Sequence, residues 1–330
     1  MKYMKALQVI QPHSFTVVKA PIPELKSGHP GRILVQPQWV SMCGSDIPYF
    51  TGSKRHKSYP LAPGAPIHEC MGVVIESNSN AFKPDDMVVA IPDGDRGLAE
   101  FFVAQDVKAV MLPGHLGDKD SSCLIQPLST VMNAVDRLGD IAGKSIAVVG
   151  LGSIGLFFCW LLKLRGAKHI MGIDPSEERC CVAQRLGANQ TFPKRSIEVL
   201  RAVQQRVDDW EPPEVCIEAV GHQMDTLNDC IELVQKQGTV LAFGVPDHLV
   251  YSIEYETFFR KNLELLAVVT PDWSEYLVKA RDLFSTNCTV LETLVTHRFP
   301  IQDALKAFTL YERHEDGILK AVLDTSTSYW

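Results

Sequence analysis

Ile146-Ala147-Val148-Val149 runs directly into Gly150-Leu151-Gly152-Ser153-Ile154-Gly155 and then into the largely apolar stretch Leu156–Arg165. A β-branched run, a G-x-G-x-x-G turn and a helix, in that order, make a dinucleotide fingerprint. The run suits a buried parallel strand. Gly150 allows the tight turn, Gly152 lets the backbone approach a pyrophosphate, and Gly155 lets helix and strand pack closely. The helix N-terminus offers its amides to the phosphates. A second strand, His169–Ile173, ends in Asp174, 19 residues beyond Gly155. A carboxylate there accepts hydrogen bonds from both ribose hydroxyls of NAD and repels a 2′-phosphate. The alternative for Asp174 is a turn cap ahead of Pro175. Ser153, Ile154 and Arg179 are counted with the same cofactor site.

Further strand and helix segments follow at Val215–Ala219, Met224–Val234, Thr239–Phe243 and Leu263–Val268. Such alternation predicts an α/β chain with a doubly wound parallel sheet, a Rossmann domain spanning residues 125–268. The same glycines bear on another reading. Ser145–Leu162 is a run of 18 uncharged residues between Lys144 and Lys163, about the length of a transmembrane helix. Three glycines in a functional pattern argue against a span.

Residues 1–124 and 269–330 read differently. Short apolar strands at Ala6–Ile10, Ile33–Val40, Met71–Ile75, Met87–Ile91 and Ala99–Val103 are separated by Pro- and Gly-rich turns. They predict a β-rich, barrel-like domain, completed by a helix near Ile301–Tyr311 and a final strand Leu319–Leu323. A length of 330 residues accommodates two domains of ordinary size. The net charge of −7 gives no support to a nucleic-acid or acidic-membrane partner. Nine cysteines, irregularly spaced and without a Cys-x-x-Cys pair, indicate neither a disulfide framework nor a zinc ribbon. A reduced, cytoplasmic protein is the expectation, and the apolar run at the N-terminus is too short for a signal peptide.

In the β-rich part the chain reads Val40-Ser41-Met42-Cys43-Gly44-Ser45-Asp46-Ile47, with His68-Glu69 beginning 25 residues after Cys43 and Gln126-Pro127-Leu128-Ser129 further on. Taken alone, the octapeptide leaves three roles for Cys43: a metal ligand, a reactive nucleophile, or a core cysteine before a turn. Taken together, the three segments resemble the zinc-dependent medium-chain dehydrogenases, and within them the polyol branch of sorbitol, threonine and galactitol-phosphate dehydrogenases. The likeness extends to Glu218-Ala219-Val220-Gly221 and Thr296-His297-Arg298-Phe299-Pro300, so it covers nearly the whole chain.

That resemblance implies a GroES-like catalytic domain built from both ends of the chain, with the Rossmann domain inserted between. It implies one catalytic zinc ion with Cys43 as thiolate ligand and His68 as imidazole ligand. Asp46 would accept a hydrogen bond from His68 and fix its tautomer. Ser45 would relay the substrate proton, or else be an ordinary turn hydroxyl. The reaction implied is reversible hydride transfer between NAD and a secondary alcohol or ketone, in a polyol, sugar alcohol or sugar derivative. The implied assembly is a homodimer or homotetramer. Two rival readings stay open: a zinc-free reductase of the same superfamily, and a non-catalytic nucleotide-binding protein.

Four departures from the family pattern stand out. No cysteine lies between Cys70 and Cys123, where the family's structural zinc lobe has four, so no structural zinc is expected. Gln126 occupies the place of the branch's third ligand, a Glu. A neutral amide there would leave the site at net charge +1 rather than 0. Glu69 would then enter the metal shell, as in some archaeal glucose dehydrogenases of the superfamily, or serve as a structural carboxylate paired with an Arg or Lys. Pro48 stands where many relatives have a proton-relay histidine, and Ile67 replaces a common glycine. Between the two ligand segments, Thr51-Gly52-Ser53-Lys54-Arg55-His56-Lys57-Ser58-Tyr59 carries four basic or potentially basic groups. The resemblance sets this segment beside the substrate cleft, where it would steer an anionic substrate; the alternative is a solvated loop.

Overall fold

The computed structural model describes residues 2–25, 30–53, 58–205 and 211–326. The chain divides into one unit made of residues 1–129 with 272–330 and another made of 130–271. In the first, β1 (Tyr3–Gln11) and β2 (Ser14–Pro21) form an antiparallel hairpin. They are followed by β3 (Arg32–Ser41), the short α1 (Ile47–Thr51), β4 (Glu69–Ser77), β5 (Met87–Pro92) and β6 (Phe102–Met111). β3 to β6 pair antiparallel in sequence order, and β6 returns to β3, with Arg32–Val35 opposite Phe102–Gln105. This closure removes the open edges that such a sheet would otherwise present. Alternate residues, among them Ile33, Val35, Val74, Val88 and Phe102, fill the interior.

One strand lies later than the sequence pattern predicts. The expected strand Ala99–Val103 begins at Phe102, and Ala99 makes only an isolated bridge to Ala6. The preceding residues bond elsewhere: Gly97 N donates to Ile67 O, and Leu98 N to Gly64 O.

The second unit starts within α2 (Ile125–Arg137), whose last residues belong to it. Then come β7 (Ser145–Val149), α3 (Ser153–Leu164), β8 (His169–Ile173), α4 (Glu177–Leu186), β9 (Gln190–Phe192) and α5 (Ser196–Gln205). They are followed by β10 (Val215–Glu218), α6 (Asp225–Leu233), β11 (Thr239–Ala242), α7 (Tyr255–Arg260) and β12 (Glu264–Ala267). The strand order is β12-β11-β10-β7-β8-β9, with every pairing parallel. The order reverses beside β7, which places a ligand crevice at the carboxyl ends of β7 and β10. The 18-residue uncharged run resolves into β7, the glycine turn and α3. Nine of the twelve α3 residues are buried, as expected of a helix that is apolar all round. No described helix is long and apolar enough to cross a membrane.

The chain then returns to the first unit through α8 (Trp273–Leu291), β13 (Val295–Pro300), α9 (Ala304–Arg313) and β14 (Lys320–Asp324). β14 sits between β13 and β3, pairing Val322 with Ser41.

Candidate active site

The backbone leaves β3 at Ser41 and is tied down at once, because Met42 N donates to Ala321 O of β14 at 3.0 Å. Cys43 follows, and a 3₁₀ turn over Gly44–Asp46 folds the Asp46 carboxylate back onto it, accepting from Cys43 N at 2.8 Å. The other Asp46 oxygen lies 3.1 Å from His68 Nδ1. Asp46 is 1% exposed, so its acceptors are spent within the site. Burial pushes its carboxyl up, against the opposing effect of His68. Burial would push the His68 imidazole down, but the Asp46 charge and hydrogen bond, with the Cys43 sulfur beside it, outweigh that and hold it well above 6.5. Cys43 is partly exposed, unlike Cys70 and Cys123, whose thiols burial pushes well above their usual range. Ser45, on the same turn, is partly exposed as well.

Cys43, His68 and Glu69 each place a ligand atom within 4.8 Å of the other two, the one such group of His, Cys, Asp and Glu donors among the described residues. Thiolate, imidazole and oxygen donors are the ones zinc takes, so the donor set fits that ion. Gln126 is buried in the first turn of α2, in the same unit. Glu69 has a second partner. Both its oxygens accept from Lys320 Nζ, at 2.6 and 2.5 Å, and neither residue has exposed surface. Lys320 thus belongs to the cluster, although it lies far from Glu69 in sequence. A lysine within the apolar run Ile318–Leu323 is itself a signal, because buried charges are paired.

Ile67 now has a physical account. Its side chain is fully buried in the barrel core, and the short loop Pro92–Leu98 closes over it. A Cβ on Gly97 would come 3.0 Å from Ile67 Cγ2 and 2.4 Å from Cys70 Sγ. Apolar packing therefore fastens this loop to the segment that carries His68 into β4. The basic residues Lys54, Arg55, His56 and Lys57 lie outside the described residues.

In the second unit, Gly150 has φ +92 and stands against Val220 and Ala219. At Gly155 an added Cβ would meet Gly150 O at 1.8 Å. Gly152 differs from both, since nothing lies within 4 Å of the place its Cβ would take. Ser153 and Ile154 open α3 behind it. Asp174 is 5% exposed, and it both caps the turn at Pro175, the alternative open to it from sequence, and reaches back to the glycine turn. Its Oδ2 accepts from Leu151 N at 2.8 Å and its Oδ1 from Ser176 N at 2.9 Å, tying the glycine turn to the end of β8. Arg179 Nη1 lies 3.8 Å from Asp174 Oδ2. A carboxylate has about four acceptor sites, so capacity for further donors remains. Glu218, at the end of β10, accepts from Val220 N, Gly221 N and Thr226 Oγ1 through one oxygen and so braces the neighbouring loop.

A closed β-barrel with a thiol–imidazole–carboxylate cluster, in one chain with a six-stranded parallel sheet that carries a dinucleotide turn, defines a two-domain dehydrogenase. Comparison with known proteins agrees. Residues 29–117 match the alcohol dehydrogenase GroES-like domain and residues 153–286 the zinc-binding dehydrogenase domain, together more than half of the chain. The chain is 27% identical to D-altritol 5-dehydrogenase of Agrobacterium fabrum, covering 93% of this chain and 95% of that protein. It is 26% identical to sorbitol dehydrogenase of Gallus gallus, with 89% of each chain covered. A zinc-binding dehydrogenase structure from Sinorhizobium meliloti 1021, solved bound to NADP, has the same fold, with TM-score 0.83, 22% identity and coverage of 98% of this chain and 100% of that one. The chain belongs to the zinc-type medium-chain alcohol dehydrogenase family.

Proposed function

We propose that the protein catalyses reversible oxidation of a secondary alcohol in a polyol or sugar-like molecule, with NAD as hydride acceptor and one zinc ion at Cys43 and His68. The observation that carries this reading is the meeting of Cys43, His68 and Glu69 within 4.8 Å in a chain that also bears the glycine turn and Asp174. The names of the Agrobacterium and Gallus relatives support a polyol. When bound, zinc polarises the alcohol oxygen and eases loss of its proton, while nicotinamide takes the hydride.

The chain's own residues do the rest. Cys43 contributes the anionic donor, with the oxygen donor coming from Gln126 or Glu69. Asp46 engages His68 Nδ1, so the ring is oriented before any ligand arrives. Ser45, two residues from Cys43, takes the hydroxyl proton. Glu69 does not carry it onward, since both its oxygens accept from a fully buried ammonium. The test is NADH formation on a panel of sugar alcohols, hydroxy acids and their phosphates, alongside elemental analysis for zinc. Absence of turnover across the panel, or of stoichiometric zinc, would sink the reading.

NAD is preferred to NADP in this proposal because Asp174 accepts from the ribose hydroxyls and repels a 2′-phosphate. Asp174→Ala removes charge-assisted bonds of about 1.5–3 kcal/mol each and also the hold on the glycine turn. Both cofactors are therefore expected to bind less well, NAD more so than NADP. The ratio of the two dissociation constants is the readout, and an unchanged ratio would mean that Asp174 only anchors the turn.

Metal uptake is expected to be pH-dependent. A metal ligand must be the neutral imidazole, and in the metal-free protein His68 holds its proton to well above 6.5. Affinity should therefore rise with pH and go on rising beyond the ordinary imidazole range, as proton competition fades. Competition with a chromophoric chelator measures it; a flat profile would contradict the assignment of His68.

A further inference from the structure

His222 belongs to the second unit and has no part in the chemistry above. The chain leaves β10 at Glu218 and turns at once, because one Glu218 oxygen accepts from Val220 N, Gly221 N and Thr226 Oγ1. His222 lies within that turn at φ +58, a left-handed conformation that a residue with a side chain seldom takes. The loop after β11 holds it there, since His222 N donates to Val245 O at 2.8 Å. The two loops are in close contact: a Cβ on Gly221 would come 2.6 Å from Val245 N. The ring is costly as well as the backbone. Its Nδ1 is buried and has no hydrogen-bond partner among the described residues, which lowers stability until something supplies one. The residue as a whole is only half-buried, and the torsion that turns a histidine ring is soft. A turn of the ring carries Nδ1 toward the open side.

The strand order says what meets it there. Asp174 stands at the end of β8, on one side of β7, and the loops after β10 and β11 stand on the other. In such a sheet a dinucleotide lies across the point where the order reverses. With its pyrophosphate on the glycine turn and one ribose at Asp174, its second ribose falls on the side of β10. The surroundings of His222 suit hydroxyls better than a phosphate. Glu218 is a buried carboxylate at the start of the same turn, and Asp247 follows the loop that holds His222. The Asp247 carboxyl is held below its usual range, first by the hydrogen bond from the Tyr251 hydroxyl and also by the charges of His248 and His222. A hydroxyl both donates and accepts, so it pairs with either tautomer of the ring. We propose that His222 is a binding residue for the second ribose of the dinucleotide, the one that carries nicotinamide, and that it hydrogen-bonds those hydroxyls through Nδ1. This inference rests on the reading of the glycine turn as a dinucleotide site. It does not depend on the choice between NAD and NADP, which share this ribose.

Three ligands isolate the contact. ADP ends at the pyrophosphate, ADP-ribose adds the second ribose, and NADH adds nicotinamide to that. In calorimetric titrations of the full-length protein, His222→Gly is expected to bind ADP as wild type does. It should bind ADP-ribose and NADH about five- to tenfold less well, the worth of one hydrogen bond. Its melting temperature without ligand should be no lower than that of wild type, because glycine takes the left-handed region freely and the orphaned nitrogen is gone. His222→Asn should keep most of the wild-type affinity for all three, since asparagine tolerates the same backbone and carries both a donor and an acceptor. Unchanged ADP-ribose binding by His222→Gly overturns the inference, whether or not NADH binding falls. An equal loss for ADP overturns it too, because the ring would then serve the adenosine end or only hold the loop. Wild type that binds neither NADH nor NADPH is a separate result: it removes the dinucleotide site itself and, with it, the proposed function.

Discussion

Cys43→Ser and His68→Ala are expected to lose alcohol oxidation by at least about 10³-fold while binding NAD as wild type does. The size follows from the loss of metal polarisation, worth several kcal/mol, at 1.36 kcal/mol for each factor of ten. Retention of NAD follows from the division of the chain, since both residues lie in the unit of 1–129 with 272–330 and the glycine turn lies in 130–271. His68→Ala has an added effect: it strips a buried Asp46 of its ring partner, leaving a charged group with one backbone donor. Some loss of thermal stability is therefore expected there and not in Cys43→Ser. Elemental zinc, NADH fluorescence titration and turnover should be measured on the same preparations. A zinc-free Cys43→Ser protein with full activity would end the case for metal catalysis.

The second large effect is a contrast between two glycines three residues apart. Gly155→Ala is expected to abolish cofactor binding and lower stability by about 3 kcal/mol, the upper range for overpacking. Its Cβ would lie 1.8 Å from Gly150 O and 3.4 Å from Val148 Cγ1, so α3 must move off β7, and the turn with it. Gly152→Ala should fold as well as wild type. Gly152 has φ −64, which any residue adopts, and open space where the side chain would stand. Nothing among the described residues demands a glycine there. The requirement comes from a ligand that needs the room, so Gly152→Ala should lose NAD affinity with its melting temperature intact. Wild-type NAD binding by Gly152→Ala would place the pyrophosphate elsewhere.

How far the sequence could be read depended on whether a feature announces itself locally. The turn at Gly150–Gly155 and the acid at Asp174 are close in sequence and bound to a strand and helix pattern, so their places at the ends of β7 and β8 were legible. Cys43, Asp46 and His68 were legible through their resemblance to a family, and the structure brings them together through one short turn. Lys320 was not, because its partner Glu69 is 251 residues away and local spacing carries no trace of that pairing. The long helix α8 was missed although its start is signposted: Asp272 accepts from Ser274 N and Glu275 N, and Leu277, Ala280 and Phe284 follow at helical spacing. Ile67 had no sequence account because the loop that covers it only comes into contact once β4, β5 and β6 are paired.

The distance between Glu69 and Lys320 has a temporal side. At a synthesis rate of about 5–20 residues per second, the 251 residues between them take on the order of 12–50 s to emerge. For that interval β3 and β4 exist without β14, and a carboxylate destined for a dry interior has no counter-ion. The contiguous segment 130–271 emerges meanwhile and needs nothing from later in the chain to complete its sheet. The nascent chain thus carries a finished nucleotide-binding unit and an unfinished barrel at the same moment.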